Sequence, residues 1–370
     1  MRIGVPKEIK AQEFRVGVTP DSAREYVSAG HEVLVESGAG AGIGAADSAY
    51  EAVGATVVPS AQAVYARAEM IVKVKEPQPA ELRLLQPGQI LFAYLHLAAD
   101  HALTEALLAS GCIAVAYETV TDEAGGLPLL APMSEVAGRL AVEVAAACLR
   151  KSNGGKGVLL GGVAGVPAAR VVILGGGVVG TQAARLASGL GAEVSVVERS
   201  LPRLRQLDQL FQGRVRTCYS TAATIEAEVS AADVVIGAAL VPGASTPTLV
   251  TRSMLRTMQP RSVLIDVAID QGGCFETSRP TTHDVPTHEV DGIIHYGVAN
   301  MPGTVPVTSS HALNHATLPF GLALAAQGER ALRTDGHLRN GLNVYRGKLT
   351  CEPVARALKM QAVATQALFT

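Results

Sequence analysis

Four charged or titratable side chains of this 370-residue chain fall in or before the segments that follow apolar runs of β type: Arg15, Lys75, His96 and Asp270. Arg15 lies in "KAQEFRVGVTP" and Lys75 closes "MIVKVK", while His96 follows "QILFAYL" and Asp270 follows "SVLIDVA". Ligands of parallel α/β sheets bind beyond the carboxyl ends of the strands. That edge would then carry a guanidinium, an ammonium, an imidazole and a carboxylate. Such a set could bind a substrate acid and, together with a nicotinamide, oxidise the carbon next to the carboxylate of that substrate.

Each of the four also has an ordinary structural explanation. Arg15 could be a solvated loop charge, and Lys75 could be a strand-end lysine beside Glu76. His96 could be a core or rim histidine with one hydrogen bond, and Asp270 could cap the turn that follows it. The interpretation as a reactive site therefore depends on all four occurring together.

The stretch "RVVILGGGVVGTQAARLASGLGAEVSVVERS" carries the spacing G-x-G-x-x-G at Gly175, Gly177 and Gly180. An apolar strand precedes it, an amphipathic helix follows, and the next strand ends in Glu198. The first glycine permits a tight turn, the second lets a pyrophosphate approach the backbone, and the third lets the helix meet the strand. The carboxylate of Glu198 would accept hydrogen bonds from a ribose, so this unit predicts dinucleotide binding.

Two neighbouring features bear on that interpretation. "HEVLVESGAGAGIGAADSAY" also places glycines after a strand, but no acidic residue closes the next apparent strand, which favours a structural turn. Arg199 and Arg203 could accept the 2′-phosphate of NADP, whereas the carboxylate of Glu198 would repel it. The sequence therefore favours NAD.

Composition excludes several classes of protein. The formal charge is −2 and there is no basic cluster interleaved with aromatic residues, so a nucleic-acid partner is not expected. The five cysteines are widely spaced without CxxC, which argues against a disulfide framework or a zinc site and favours a reducing cytoplasm. No apolar run is long enough to span a membrane, and "MRIGVPKEIK" does not resemble a signal peptide.

Short β-type runs alternate with helical stretches through most of the chain, which predicts parallel sheets. We expect an α/β protein with two Rossmann-like doubly wound domains separated by a cleft, the first domain being discontinuous. Residues 1–129 and 306–370 form the expected substrate and catalytic domain, and residues 130–305 the NAD-binding Rossmann domain. A long helix is expected from an N-cap at Ser134, and the tail from about residue 308 is expected to be mostly helical.

Long motifs then resemble the alanine dehydrogenase family from residue 1 to the far tail. They are "MRIGVPKEIK", "FRVGVTP", "IVKVKEP", "YLHLAAD", "LGGGVVG" and "DVAIDQGGCFETSRPTTHDVPTHEVDGIIHYGVANMPG". The resemblance implies reversible NAD-dependent oxidative deamination of L-alanine to pyruvate and ammonia, usually by a homohexamer. It also implies substrate binding by Arg15 and Lys75 and acid–base chemistry by His96 and Asp270.

The same resemblance implies a set of nucleotide contacts. They fall on Ser134, Gly175, Gly177, Val178, Val179, Gly180, Glu198, Arg203, Ser220, Ala239, Leu240, Val267, Arg279, Val298, Asn300 and Met301.

This sequence departs from the family pattern at three positions. Glu198 stands where the family usually has Asp, Gly297 is less usual, and Val307 replaces a common basic residue. His311 and His315 have the i, i+4 spacing of half a metal site, but no third ligand is evident and no metal is expected. Two other functions are alternatives: a soluble transhydrogenase subunit of related architecture, and a non-catalytic NAD-binding module.

Overall fold

The computed structural model describes residues 1–239 and 246–369. They form two compact units: unit 1 comprises Met1–Met133 and Gly303–Thr370, and unit 2 comprises Ser134–Pro302. The strands are β1 (Arg2–Val5), β2 (Glu32–Glu36), β3 (Thr56–Val58), β4 (Met70–Val72), β5 (Ile90–Ala93), β6 (Ile113–Ala116), β7 (Arg170–Leu174), β8 (Glu193–Glu198), β9 (Arg216–Tyr219), β10 (Val234–Gly237), β11 (Val263–Asp266), β12 (Thr287–Val290), β13 (Ile293–Tyr296), β14 (Leu342–Tyr345) and β15 (Lys348–Leu349).

The helices surround these strands in the usual alternation. They are α1 (Pro20–Ser28), α2 (Asp47–Glu51), α3 (Ala61–Arg67), α4 (Pro79–Leu82), α5 (His101–Ser110), α6 (Ala131–Cys148), α7 (Val178–Gly189), α8 (Leu201–Phe211), α9 (Ala222–Ala231), α10 (Arg252–Leu255), α11 (Pro306–Gln327), α12 (Glu329–Thr334), α13 (Gly336–Arg339) and α14 (Glu352–Leu358).

The sheet of unit 1 has the order β15-β14-β6-β5-β4-β1-β2-β3. Strands β1 to β6 pair in parallel, whereas β14 runs antiparallel to β6 and β15 antiparallel to β14. The order 3-2-1-4-5-6 of the parallel strands is that of a doubly wound fold, with its switch point between β1 and β4. The segments that leave β1, β4 and β5 therefore begin at the same edge of the sheet.

Unit 2 repeats this order as β12-β13-β11-β10-β7-β8-β9. All neighbours pair in parallel except β12, which forms an antiparallel hairpin with β13. Val171 and Ile173 of β7 belong to a core with residues of α6 and α7, while Val172 and Leu174 belong to a core with residues of α9. Both faces of the strand are buried, which is why its sequence is apolar throughout.

The prediction of an α/β protein with two Rossmann-like domains is confirmed. The tail is mostly helical, as expected, but it also contributes β14 and β15 to the sheet of unit 1. Two local expectations were wrong. Helix α6 begins at Ala131, so Ser134 lies within its first turn and is not its N-cap. The run "MIVKVK" is a strand only as far as Val72, so Lys75 lies three residues beyond β4.

Several absences hold within the described parts of the chain. No helix there is long and apolar enough to cross a membrane. No cluster of three or more His, Cys, Asp or Glu residues there has the arrangement of a metal site. The five cysteines are free thiols.

Candidate active site

Arg15 is held by a carboxylate two residues earlier in the chain. Its side chain is 2% exposed, and its Nε and Nη2 atoms donate to the two oxygens of Glu13 at 2.7 and 2.6 Å. Nη1 lies 3.0 Å from the sulfur of Met133. Burial disfavours the cation, but the hydrogen bonds and charge of Glu13 outweigh this effect and raise the pKa of Arg15. The guanidinium is therefore a permanent, rigidly oriented cation.

Lys75 is also buried, on a segment that a buried carboxylate fixes. Glu8 accepts hydrogen bonds from the backbone N–H groups of Val74 at 2.6 Å and of Lys75 at 3.3 Å. The other oxygen of Glu8 lies 3.1 Å from Lys73 Nζ, and Glu81 lies 2.7 Å from the same nitrogen. Lys73 is fully buried, and although burial opposes its charge, the two carboxylates raise its pKa. These charges fix the backbone that carries Lys75.

His96 has an unusual backbone conformation that a second carboxylate supports. Its φ of 52° lies in the left-handed region, which non-glycine residues rarely adopt. Glu118 follows β6, and its Oε1 accepts hydrogen bonds from the backbone N–H groups of Leu95 at 3.1 Å and of His96 at 2.6 Å. The imidazole is 44% exposed, and its Nδ1 lies 3.6 Å from Glu76 Oε2. The segments after β4 and β5 therefore meet at this histidine.

The glycine loop of unit 2 ends β7 and begins α7, as the sequence predicts. Gly175 has a φ of 109°, and a Cβ at Gly180 would lie 1.9 Å from the Gly175 carbonyl oxygen. Gly177 is the N-cap residue of α7, no side chain caps it, and a Cβ there would meet no atom within 4 Å. By helix geometry the N–H groups of the first turn have no carbonyl partner within α7. The helix end can therefore bind an anion.

Glu198 and Arg203 hold the Gly176 peptide unit of this loop from both sides. Glu198 Oε2 accepts the Gly176 N–H at 2.8 Å, and Oε1 accepts the Ser200 N–H at the same distance. Arg203 Nε donates to the Gly176 carbonyl at 2.7 Å, and its Nη2 donates to Thr181 Oγ1 at 2.7 Å. Each oxygen of Glu198 keeps a second lone pair that can accept from a hydroxyl. In this structure Arg203 therefore supports the loop.

Asp270 is exposed on a short 3₁₀ turn, Ile269–Gln271, beyond β11. Its Oδ2 accepts a hydrogen bond of 3.3 Å from the backbone N–H of Asn300. The loop around it is organised by the buried carboxylate of Asp266, which accepts from the N–H groups of Ala268 at 3.1 Å and Cys274 at 2.9 Å and from the Ser278 hydroxyl. Burial raises the pKa of Asp266 against these hydrogen bonds.

The other residues implied as nucleotide contacts belong to unit 2 as well, and most follow the carboxyl ends of its strands. Leu240 lies outside the described residues. Arg279 is exposed and Met301 is buried, whereas Ser134 is half-buried on α6. The predicted contacts that lie in segments following β7, β9, β10, β11 and β13 are Val178, Val179, Ser220, Ala239, Val267, Val298 and Asn300.

The structure shows the surroundings of two positions at which the sequence departs from the family pattern, Gly297 and Val307. A Cβ at Gly297 would lie 2.5 Å from the Arg279 carbonyl oxygen, so the close approach of the two backbones favours glycine there. Val307 is 52% exposed in the first turn of α11. On the same helix the ring centroids of His311 and His315 are 6.3 Å apart.

Sequence reasoning overlooked the carboxylates that orient the predicted residues. Glu13 contacts Arg15, Glu118 contacts the backbone of His96, and Asp266 organises the loop that carries Asp270. The rule that selected His96 would also have selected Glu118, because it too follows a buried strand. Glu13 stands only two residues before Arg15, but nothing in that spacing indicates a buried pair.

Comparison with known proteins covers nearly the whole chain. Residues 4–137 match the family model "Alanine dehydrogenase/PNT, N-terminal domain", and residues 141–352 match "Alanine dehydrogenase/PNT, C-terminal domain". The chain is 56% identical over 369 residues to the alanine dehydrogenase of Halomonas elongata, covering 100% of both chains. It resembles a solved L-alanine dehydrogenase with a TM-score of 0.93 and 54% identity, covering 97% of this chain and 99% of the other. The transhydrogenase of Sinorhizobium meliloti is more distant, with a TM-score of 0.82 and 27% identity over 95% of this chain and 100% of the other.

Proposed function

The chain belongs to the alanine dehydrogenase/PNT family, and from that premise we propose that it catalyses the reversible NAD-dependent oxidative deamination of L-alanine to pyruvate and ammonia. It is an oxidoreductase that acts on an amino-acid donor. The end-to-end likeness to an L-alanine dehydrogenase carries this proposal. Unit 1 takes the role of the substrate domain, and unit 2 takes that of the dinucleotide-binding domain.

Arg15 and Lys75 would bind the substrate. Both side chains are at least 92% buried, Arg15 being 2% and Lys75 8% exposed. A cation in such a place has lost most of its water, so its attraction for a carboxylate is little screened. Arg15 would bind the carboxylate of alanine, and Lys75 would add a second positive charge and polarise the carbonyl of pyruvate on the reverse path.

The features of unit 2 fit a dinucleotide. Gly177 leaves open space beside an uncapped helix N-terminus, which suits a pyrophosphate. The carboxylate of Glu198 would accept from the ribose hydroxyls and repel a 2′-phosphate, so we propose NAD in preference to NADP. When bound, the nicotinamide accepts the hydride that leaves Cα of the substrate.

His96 would transfer protons, and Asp270 would stabilise the charge of the iminium intermediate. After hydride transfer the substrate is an iminium ion, which water attacks. His96 would take the proton of that water, because an imidazole exchanges protons near neutral pH. Asp270 would orient the iminium and stabilise its positive charge. Its exposed carboxylate on a short turn supports this role.

The proposed assembly rests on the family resemblance, and the proposed location rests on the cysteine content of the sequence. We propose a cytoplasmic homohexamer, and the five free thiols are consistent with a reducing compartment. Light scattering of the purified protein should then give six times the chain mass of 38.2 kDa.

A spectrophotometric assay tests the activity. The protein is mixed with NADH, ammonia and a panel of 2-oxo acids, and absorbance is followed at 340 nm. Oxidation of NADH that requires both pyruvate and ammonia supports the proposal. Hydride exchange between two nicotinamide cofactors without an amino acid would favour a transhydrogenase-like function, and NADH binding without turnover would favour a non-catalytic module.

A further inference from the structure

Glu76 joins the two segments that carry Lys75 and His96. Its side chain is 14% exposed, and its Oε1 accepts a hydrogen bond from Lys10 Nζ. The other oxygen, Oε2, is buried and lies 3.6 Å from Nδ1 of His96. That distance is longer than a hydrogen bond, so within the described residues Oε2 makes none. Oε2 therefore faces the imidazole of His96 across a gap of 3.6 Å.

This carboxylate is ionised throughout the pH range in which an imidazole titrates. Burial alone would raise the pKa of Glu76, but the contacts with His96 and Lys10 and the charge of Lys75 lower it to about 2. Lys10 is 38% exposed on the N-terminal segment. A fixed negative charge thus lies beside one nitrogen of the ring.

The backbone of His96 is fixed separately from its ring. Glu118 holds the main chain at His96 through the N–H group, and the left-handed φ aims the side chain. The Tyr94 ring centroid is 5.8 Å from that of the imidazole. Two carboxylates thus lie at His96: Glu118 accepts from its backbone, and Glu76, on which the charges of Lys10 and Lys75 act, lies beside its ring.

We propose that Glu76 is a positioning residue for His96, holding the imidazole proton on Nδ1 so that Nε2 presents its lone pair to the reacting water. This inference rests on the proposed function. In the deamination step the water oxygen bonds to the iminium carbon, and the water proton moves to Nε2. The imidazolium that forms then carries its positive charge against the carboxylate of Glu76. A carboxylate that fixes a histidine tautomer in this way is a recurring arrangement in hydrolases.

Glu76→Gln provides a nearly isosteric test. Lys10 would continue to donate to the side-chain carbonyl oxygen, which turns the amide NH₂ group toward Nδ1. A donor facing Nδ1 favours the tautomer with its proton on Nε2, so the ring can no longer accept a proton there. We expect kcat for L-alanine to fall roughly 10- to 1000-fold. NADH affinity should stay unchanged, and the acid limb of the kcat/KM profile should move to lower pH by about one unit.

A spectroscopic measurement on the full-length protein separates this role from a purely structural one. Histidine labelled with ¹⁵N reports the tautomer through the chemical shifts of the two ring nitrogens, and His96→Asn assigns the signal. We expect the Nδ1–H form in the wild type and the Nε2–H form in Glu76→Gln. Glu76→Asp, which keeps the negative charge but shortens the side chain and so withdraws it from Nδ1, should shift the tautomer population in the same direction to a smaller extent.

The chain offers a matched control. His101 Nδ1 lies 3.5 Å from Glu105 Oε2, almost the same separation, but these side chains are 53% and 63% exposed. Glu105→Gln should leave kcat, the pH profile and the tautomer of His96 as in the wild type. Solvent screens this pair, so the His101 signal should change little as well.

The possible results are distinct. The proposal is overturned if Glu76→Gln keeps the wild-type tautomer, whether or not kcat falls, since a fall alone would indicate a structural effect. If the wild type makes no NADH from L-alanine, the proposed function fails, while the ¹⁵N shifts still decide whether Glu76 sets the tautomer. If Glu76→Gln does not fold, the Glu76→Asp spectrum decides the same question.

Discussion

The N-terminus of α7 can be tested by one added methyl group, in the variant Gly177→Ala. The backbone at Gly177 has φ −67° and ψ −160°, a conformation that any residue adopts, and a Cβ there would meet no atom within 4 Å. The variant should therefore fold, with the free energy of unfolding changed by less than about 1 kcal/mol. The methyl group would nevertheless occupy the space in which a pyrophosphate approaches the helix.

The expected loss of affinity follows from the hydrogen bonds that the phosphates would lose. A hydrogen bond to a charged group contributes about 1.5–3 kcal/mol. Losing one, or partly losing two, should cost about 2–4 kcal/mol, which corresponds to an NADH Kd raised roughly 30- to 1000-fold. Calorimetric titration with NADH and urea unfolding of the same preparation measure the two quantities separately.

Two other glycines of this region provide controls. Gly189→Ala adds a methyl group at the last residue of α7, also into open space, and should leave NADH affinity unchanged. In contrast, a Cβ at Gly180 would lie 1.9 Å from a backbone oxygen, so Gly180→Ala should lower the urea midpoint as well as the affinity. Wild-type NADH affinity in Gly177→Ala would refute binding of the phosphates at this helix end.

Three further variants test other parts of the account. Arg15→Ala should lower kcat/KM for L-alanine by an amount equivalent to about 2–5 kcal/mol of transition-state stabilisation. It should also lower the urea midpoint, since Glu13 would remain buried without its cation. An accompanying loss of NADH affinity would contradict the assignment of Arg15 to the substrate. Glu198→Ser should reduce the preference for NADH over NADPH in kcat/KM. It should also weaken NADH binding, because it removes the acceptor for the Gly176 N–H. An unchanged preference would show that the carboxylate does not face the ribose. Burial lowers the pKa of His295 in the folded protein to about 4. As the pH falls below about 6.5, the imidazole is therefore protonated in the unfolded chain before it is protonated in the folded one. The free energy of unfolding should consequently decrease by up to about 3 kcal/mol between pH 6.5 and 4, whereas above pH 6.5 this loss is absent. The urea midpoint of His295→Gln should accordingly fall less than that of the wild type between pH 7.5 and 5, and equal falls would contradict this reasoning.

The parts of this fold that local patterns determine were predictable from the sequence. Apolar runs alternating with helical segments indicated two parallel sheets, and the glycine spacing with Glu198 located the start of α7. The rule that ligands bind beyond strand ends selected Lys75 and His96, and the structure places both beyond neighbouring strands, β4 and β5.

What the sequence did not reveal depends on pairs of residues far apart in the chain. Glu8 and Lys73 are 65 residues apart, and no periodicity links them. This ion pair is buried in the segment just after β4, which ends at Val72. The strand β14 was overlooked for a similar reason, because it forms by pairing with β6, more than two hundred residues earlier.

The transfer of deuterium from [2-²H]-L-alanine tests the central claim most directly. The wild-type protein is incubated with this substrate and NAD⁺, and the products are analysed by mass spectrometry and NMR. The account predicts NADH carrying one deuterium at C4 of the nicotinamide, formed together with one pyruvate and one ammonium ion, and the loss of this transfer in Asp270→Asn with NADH binding retained. NADH without deuterium, or the absence of pyruvate, would contradict it.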